Sequence, residues 1–171
     1  MVELATLQAV SYIIGSLGVF VAAIYYVSTL RNNQRTQQLQ LETRQAQLFM
    51  EIYNQSHNDP SFLEAYRIVM SLQWSNYEDF RNLIKDDEKA RAISRVGGFY
   101  EGLGVLVKAN FVDIKLVALL MTIMTRTWWE KYKPIIEDAR KQMGYPRYLS
   151  ESEYLYNELM KYIEKHPELK T

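Results

Sequence analysis

The sequence predicts an all-α protein: one long N-terminal transmembrane helix that continues into the cytosol, followed by a bundle of about five or six helices. Three observations lead to this prediction. No charged residue occurs between Leu4 and Leu30. Glycine and proline, which interrupt helices, number only seven and four in 171 residues. No segment has the alternating apolar pattern that is typical of a strand.

The uncharged N-terminal segment has the length of a membrane anchor. As a helix, Leu7 to Leu30 extends about 36 Å, which exceeds the hydrocarbon thickness of about 30 Å. A cleaved signal peptide is the alternative, but it needs a basic start and a small-residue cleavage site. Here Glu3 is the first charge, and bulky Tyr25 and Tyr26 follow the two alanines. Residues 1–30 are therefore expected to be an uncleaved anchor.

The flanking charges predict the orientation of this anchor. Arg31, Arg35 and Arg44 follow the apolar segment, and no lysine or arginine precedes it. The positive-inside rule then places the N-terminus outside and the C-terminal domain in the cytosol of a single-pass protein of the cell membrane. Residues 31–55 are expected to be a juxtamembrane helical stalk, and 56–171 a cytosolic helical bundle.

An uncharged row of heptad spacing runs along the predicted helix. Small residues at this spacing let helix backbones approach closely in lipid. The row predicts self-association or pairing with another helix, although packing on the chain's own domain is the alternative. A second row, Leu41, Leu48 and Ile52, suits such intramolecular packing. The association seam comprises Ser11, Gly15, Gly18, Ala22, Thr29, Leu39 and Ala46, and the same rows also contain Tyr25, Asn32, Thr36, Thr43, Met50 and Tyr53.

Local signals divide the rest of the chain into helices. Asp59 and Asp113 are expected to be N-caps, and Gly144 is expected to end a helix. Two segments, 75–78 and 150–153, have the form of capping boxes. The glycine-dense segment 97–104 is expected to be a helix face that permits close packing. Of Trp128 and Trp129, one is expected to be buried and the other exposed.

The sequence carries no recognisable catalytic, cofactor or metal motif. There is no cysteine, and neither His57 nor His166 has a second histidine at metal-ligand spacing. The 20 basic and 20 acidic side chains balance, which disfavours nucleic acid as a partner. We therefore expect no cofactor, and an enzyme is the less favoured class.

Glu101 is the ionisable residue that suggests a specific interaction. Apolar and aromatic neighbours flank it, so it is expected to be buried, and a buried carboxylate needs a partner. Arg95, Arg126 and Arg140 are the candidates for an internal ion pair that fixes helix packing. A ligand-binding or proton-handling role is the alternative.

Several segments together resemble a known family. They are Gln45 to Met50 after the N-terminal span, Phe99 to Lys108 followed by Val112-Asp113, and later Trp129 and Arg140. They resemble uncharacterised prokaryotic proteins with one N-terminal transmembrane helix and a cytosolic all-helical domain. The resemblance implies this architecture over most of the chain and implies no activity. Some similar anchored proteins are described as phage abortive-infection factors.

These observations favour a membrane-anchored interaction protein that self-associates or acts as an accessory subunit of a larger membrane complex. Its expected partners are the lipid bilayer and further protein subunits, with a homo-oligomer as the simplest case. A membrane-tethered effector or enzyme of the phage-defence type, built around Glu101, is one alternative. An oligomeric pore with polar seam residues facing a central path is the other.

Overall fold

The structure is a computed structural model that describes residues 2–169, without the side chains of residues 2, 4–6, 9–11, 13, 14 and 16. Over this range the protein is all-helical and has no strand, as the sequence predicted. Six α-helices follow the first one. The helices are α1 (Val2–Asn58), α2 (Pro60–Ser71), α3 (Tyr77–Leu83), α4 (Asp87–Lys108), α5 (Ile114–Leu120), α6 (Thr122–Met143) and α7 (Ser150–Lys165), with a short 3-10 turn at Pro167–Leu169.

The chain divides into two compact units, residues 1–44 and 45–171. The first helix is 57 residues long, so its first part lies in the first unit and its end in the second. Its length follows from its sequence, which contains no proline and only two glycines, Gly15 and Gly18. The second unit begins at residue 45, well before the bundle start expected at 56. The reason is Phe49, whose side chain is 1% exposed in the core of the second unit.

In the first unit, every described side chain from residue 12 to residue 44 is exposed. Large apolar side chains are among them: Phe20 is 66% and Tyr25 73% exposed. Across the described part of the chain, no helix has both the length and the apolar character needed to cross a membrane. The transmembrane helix expected in residues 1–30 is therefore not supported by the structure.

The second unit is built around a core to which the end of α1 contributes. Leu48 and Ile52 of the second apolar row pack against this core, whereas Leu41 is exposed. Trp128 and Trp129 are both buried, so the expectation that one of them is exposed was wrong. The α6 helix turns both rings inward, where Trp128 stacks on Tyr100 with ring centroids 4.5 Å apart. Aromatic packing of this kind supplies much of the apolar area that the core removes from water.

Side-chain caps begin several helices, as the sequence predicted for two of them. The Asp59 carboxylate accepts the amide N–H of Ser61 at 2.9 Å, and that of Asp113 accepts the N–H of Lys115 at 2.9 Å. Gly144 ends α6 in the left-handed conformation at φ 62°. These contacts satisfy backbone groups that have no partner within the helix.

The two predicted capping boxes had different outcomes. The first is displaced by one residue: Asn76 is the N-cap of α3 and accepts the N–H of Asp79 at 2.9 Å. The second was wrong, because Ser150 is already the first residue of α7 and makes no cap. The N-cap position falls on Leu149, whose side chain has no acceptor.

The closest packing in the second unit is between α4 and α7. A Cβ atom at Gly104 would overlap the backbone carbonyl of Glu151, so only glycine fits there. Gly97, on the same face of α4, lies against the Leu149 side chain. The expected close packing of the glycine-dense segment is thus confirmed at these two positions. Gly98 and Gly102 face open space.

We expect Gly104→Ala to lower the free energy of unfolding by about 1–3 kcal/mol, because the added methyl group forces α4 and α7 apart. Gly102→Ala on the same helix is the matched control. It is expected to raise the stability by about 0.5–1 kcal/mol, since alanine loses less backbone entropy in a helix. Denaturant titration followed by tryptophan fluorescence measures both. Equal effects of the two substitutions would contradict the role given to Gly104.

Candidate functional site

The seam of α1 is open to contact in the first unit. Gly15, Gly18 and Ala22 are exposed. A Cβ atom added at either glycine would meet nothing within 4 Å. The side chain of Ser11 lies outside the described residues. The small residues that the sequence singled out thus leave a narrow strip of backbone accessible to another helix.

Two threonines of the seam bond their hydroxyls back to the helix. The hydroxyl of Thr36 donates to the carbonyl of Asn32 at 2.9 Å, and that of Thr43 donates to the carbonyl of Leu39 at 2.8 Å. Both bonds follow the pattern in which a helical threonine bonds back one turn. The bonded hydroxyls turn inward on the helix and leave the methyl groups as the contact surface. Thr29 and Leu39 are exposed beside them.

In the second unit, the seam continues as an exposed strip on α1. Ala46 and Met50 are exposed, whereas Phe49 on the neighbouring face is buried. The heptad spacing thus separates a face that packs on the bundle from one that is exposed at Ala46 and Met50. Tyr53, the last position of the seam, packs against the core.

The structure places Glu101 at the start of α7. Its carboxylate accepts the backbone N–H of Ser152 at 2.8 Å and the Ser152 hydroxyl at 2.9 Å. The first turn of α7 needs such an acceptor because Leu149 offers none. A carboxylate also interacts favourably with the positive end of a helix dipole. Glu101 therefore caps α7 from a neighbouring helix.

None of the three arginines expected beside Glu101 is paired with it. The guanidinium group of Arg140 binds the Glu153 carboxylate at 2.6 Å and the carbonyls of Tyr148 and Leu149 at 2.8 and 3.2 Å. Arg126 bonds Glu130 one turn further along α6, at 2.7 Å, and Arg95 is exposed. The backbone N–H and the hydroxyl of Ser152 take the place that an arginine was expected to fill.

Arg140 holds the turn before α7 in an uncommon conformation. Leu149 has φ 53°, in the left-handed region that a bulky residue seldom adopts. The two carbonyls that Arg140 binds belong to Leu149 and the residue before it. The side chain of Arg140 is only 16% exposed, so its three bonds are made largely away from water. We infer that this arginine stabilises the turn.

An ion pair that the sequence did not suggest joins α4 and α7. The Lys108 ammonium donates to both carboxylate oxygens of Glu151, at 3.0 and 2.8 Å. This ammonium lowers the pKa of the Glu151 carboxyl below its ordinary value. The two residues lie 43 positions apart, and no local pattern relates them.

No site for a metal is apparent in the part of the chain that the structure describes. No group of three or more histidine, aspartate or glutamate side chains lies close enough together to hold an ion there.

The buried hydroxyls of Tyr100 and Thr125 have no hydrogen-bond partner within the described residues. Burial raises the pKa of Tyr100 well above its ordinary value, so this hydroxyl stays protonated.

We expect Arg140→Met to lower the free energy of unfolding by about 2 kcal/mol, because it leaves two carbonyls and a carboxylate without their donor. Arg140→Lys is expected to recover little, since one ammonium group cannot span three acceptors. Hydrogen exchange should become faster in residues 145–152. Arg126→Met is the control, because exposed pairs one turn apart contribute about 0.5 kcal/mol or less. A similar loss in both methionine variants would refute the bracing role of Arg140.

Comparison with protein families gives one match. Residues 13–159 match the family described as a domain of unknown function, DUF4760. No curated protein and no solved structure gives a significant match. The matched range starts within the uncharged segment of α1 and ends in α7, and it covers most of the chain. The chain therefore belongs to the DUF4760 family.

Proposed function

We propose that this protein is an assembly subunit that associates with copies of itself, or with other helices, through the uncharged seam of α1. The observation that carries the proposal is the exposure of this seam: every described side chain from residue 12 to residue 44 is exposed. The large apolar side chains among them, such as Phe20 and Tyr25, favour contact with a partner over contact with water.

The composition of the seam supports association by close packing. Gly15, Gly18 and Ala22 let a second backbone approach, and the bonded hydroxyls of Thr36 and Thr43 leave methyl groups outward. The charged residues Arg31, Arg35 and Glu42 fall off the seam. Contact along the seam therefore removes no charge from water, which would otherwise oppose binding.

The proposal extends to the surroundings of the helix. The segment from Leu4 to Leu30 has no charge, and Arg31 and Arg35 follow it directly. We place this segment in the cell membrane with the N-terminus outside and the bundle in the cytosol. Exposed Phe20, Ile24 and Tyr26 would contact lipid there. This step rests on sequence and exposure, and the close packing expected at Gly15 and Gly18 relies on it, because small residues promote helix association in lipid.

We expect Gly15→Leu with Gly18→Leu to weaken association at least tenfold, because leucine side chains keep the two backbones apart. Both positions face open space, so the chain itself is not disturbed. The control is Ala23→Leu with Val27→Leu, which adds apolar bulk on the opposite side of α1. Native mass spectrometry and light scattering of the gently extracted protein report the assembly. An unchanged mass in the glycine variant would reject the seam.

We expect the wild-type protein to stay with membranes during alkaline extraction. Val21→Arg with Ile24→Arg should release it, because each arginine near the centre of a bilayer costs about 2.5–3.5 kcal/mol in insertion. The control, Gln37→Arg with Gln40→Arg, adds the same charges beyond the segment and should stay bound. If the wild-type protein is itself released, the membrane step fails.

A further inference from the structure

A cavity of about 290 Å³ lies in the second unit between α3, α4, α6 and the turn before α7. An engineered cavity of about 150 Å³ binds benzene. The cavity here therefore has room for a molecule of about two fused rings. It opens to the surface beside Gly98, which is exposed and has nothing within 4 Å of an added Cβ atom.

Aromatic rings make up much of the cavity wall. The aromatic residues that line it are Tyr77, Phe80, Trp128, Tyr132 and Tyr148. Rings arranged around a cavity favour a flat, apolar ligand, because ring faces and edges pack well against another ring. No lysine, arginine, histidine, aspartate or glutamate lines this cavity. A charged ligand would lose its hydration without a compensating partner, so the wall selects a neutral one.

The hydroxyls of three tyrosines and of Ser94 are polar side-chain groups of the residues that line the cavity. Tyr77 and Tyr148 both line it, and within the described residues neither hydroxyl has a hydrogen-bond partner. The Tyr132 hydroxyl is already engaged, since it donates to the carbonyl of Val69 at 2.7 Å. Burial raises the pKa of Tyr148, with Tyr77 and Glu101 adding to the effect, so its phenol stays protonated. Tyr77 and Tyr148 can therefore both donate to an oxygen of a ligand.

The cavity wall next to α7 has a fixed shape. Leu149 lines the cavity in its left-handed conformation, and Arg140 binds its carbonyl and that of Tyr148. Backbone strain of this kind persists only where the surroundings over-determine it, and it is found frequently at binding sites. The backbone that carries the Tyr148 side chain is therefore held in place before any ligand arrives.

We infer that this cavity binds a neutral, flat, largely apolar small molecule of about two fused rings that carries one hydrogen-bonding oxygen, with Tyr77 and Tyr148 as the groups that bind the oxygen. The inference is independent of the association proposed for α1, because every residue that it uses belongs to α3, α4, α6 or the turn before α7.

The test uses 2-naphthol as the probe and the full-length chain in one mild detergent at fixed concentration. Saturable binding raises the melting temperature, because a ligand that binds only the folded state stabilises it. We expect Gly98→Leu to weaken 2-naphthol binding at least tenfold by blocking the opening. Gly102→Leu, an exposed glycine one turn along α4 that does not line the cavity, should bind as the wild type does. Each variant is compared with its own ligand-free melting temperature.

Naphthalene, which lacks the oxygen, tests the polar side of the cavity. Tyr77→Phe with Tyr148→Phe should weaken 2-naphthol binding several-fold and leave naphthalene binding unchanged. Absence of saturable binding to the wild type, or equal binding to Gly98→Leu and Gly102→Leu, would overturn the site. An equal response of the two probes to the tyrosine substitutions would overturn the assignment of the oxygen-binding groups.

Discussion

The close approach of α4 and α7 at Gly104 is the constraint on which the second unit depends. The two backbones meet directly there, and this leaves no room for a Cβ atom. That approach brings Glu101 within reach of the first turn of α7 and Lys108 within reach of Glu151. Interactions of this kind gain from being formed together, since each one holds the geometry that the others need.

The same crossing explains the turn before α7. A helix that starts without a side-chain cap of its own needs acceptors from elsewhere, and Glu101 supplies one of them. Arg140 then holds the carbonyls on the other side of the turn. The resulting wall is rigid, and it closes one side of an aromatic cavity that the core leaves unfilled. Packing of two helices thus shapes the cavity wall at some distance from the crossing itself.

Features that depend on neighbouring residues could be predicted from the sequence. Asp59, Asp113 and Gly144 act within one or two positions of themselves, so their roles are readable locally. The helical class and the close packing at glycine were predicted for the same reason. The partner of Glu101 could not be predicted, because it is a backbone N–H 51 positions away that is free only as part of the first turn of α7. The long-range ion pair and the cavity likewise exist only once the helices are packed.

The inward-turned threonine hydroxyls on α1 have a consequence for alignment. Methyl groups repeated every seven residues look alike after a slide of one repeat, so they do not select one register between two chains. Asn32 differs, because its side-chain amide bonds to no described residue while its carbonyl is taken by Thr36. A single asparagine in such a position favours the alignment that pairs it with its own copy. In a pair assembled as proposed, Asn32 is then the residue that sets the register between the two helices.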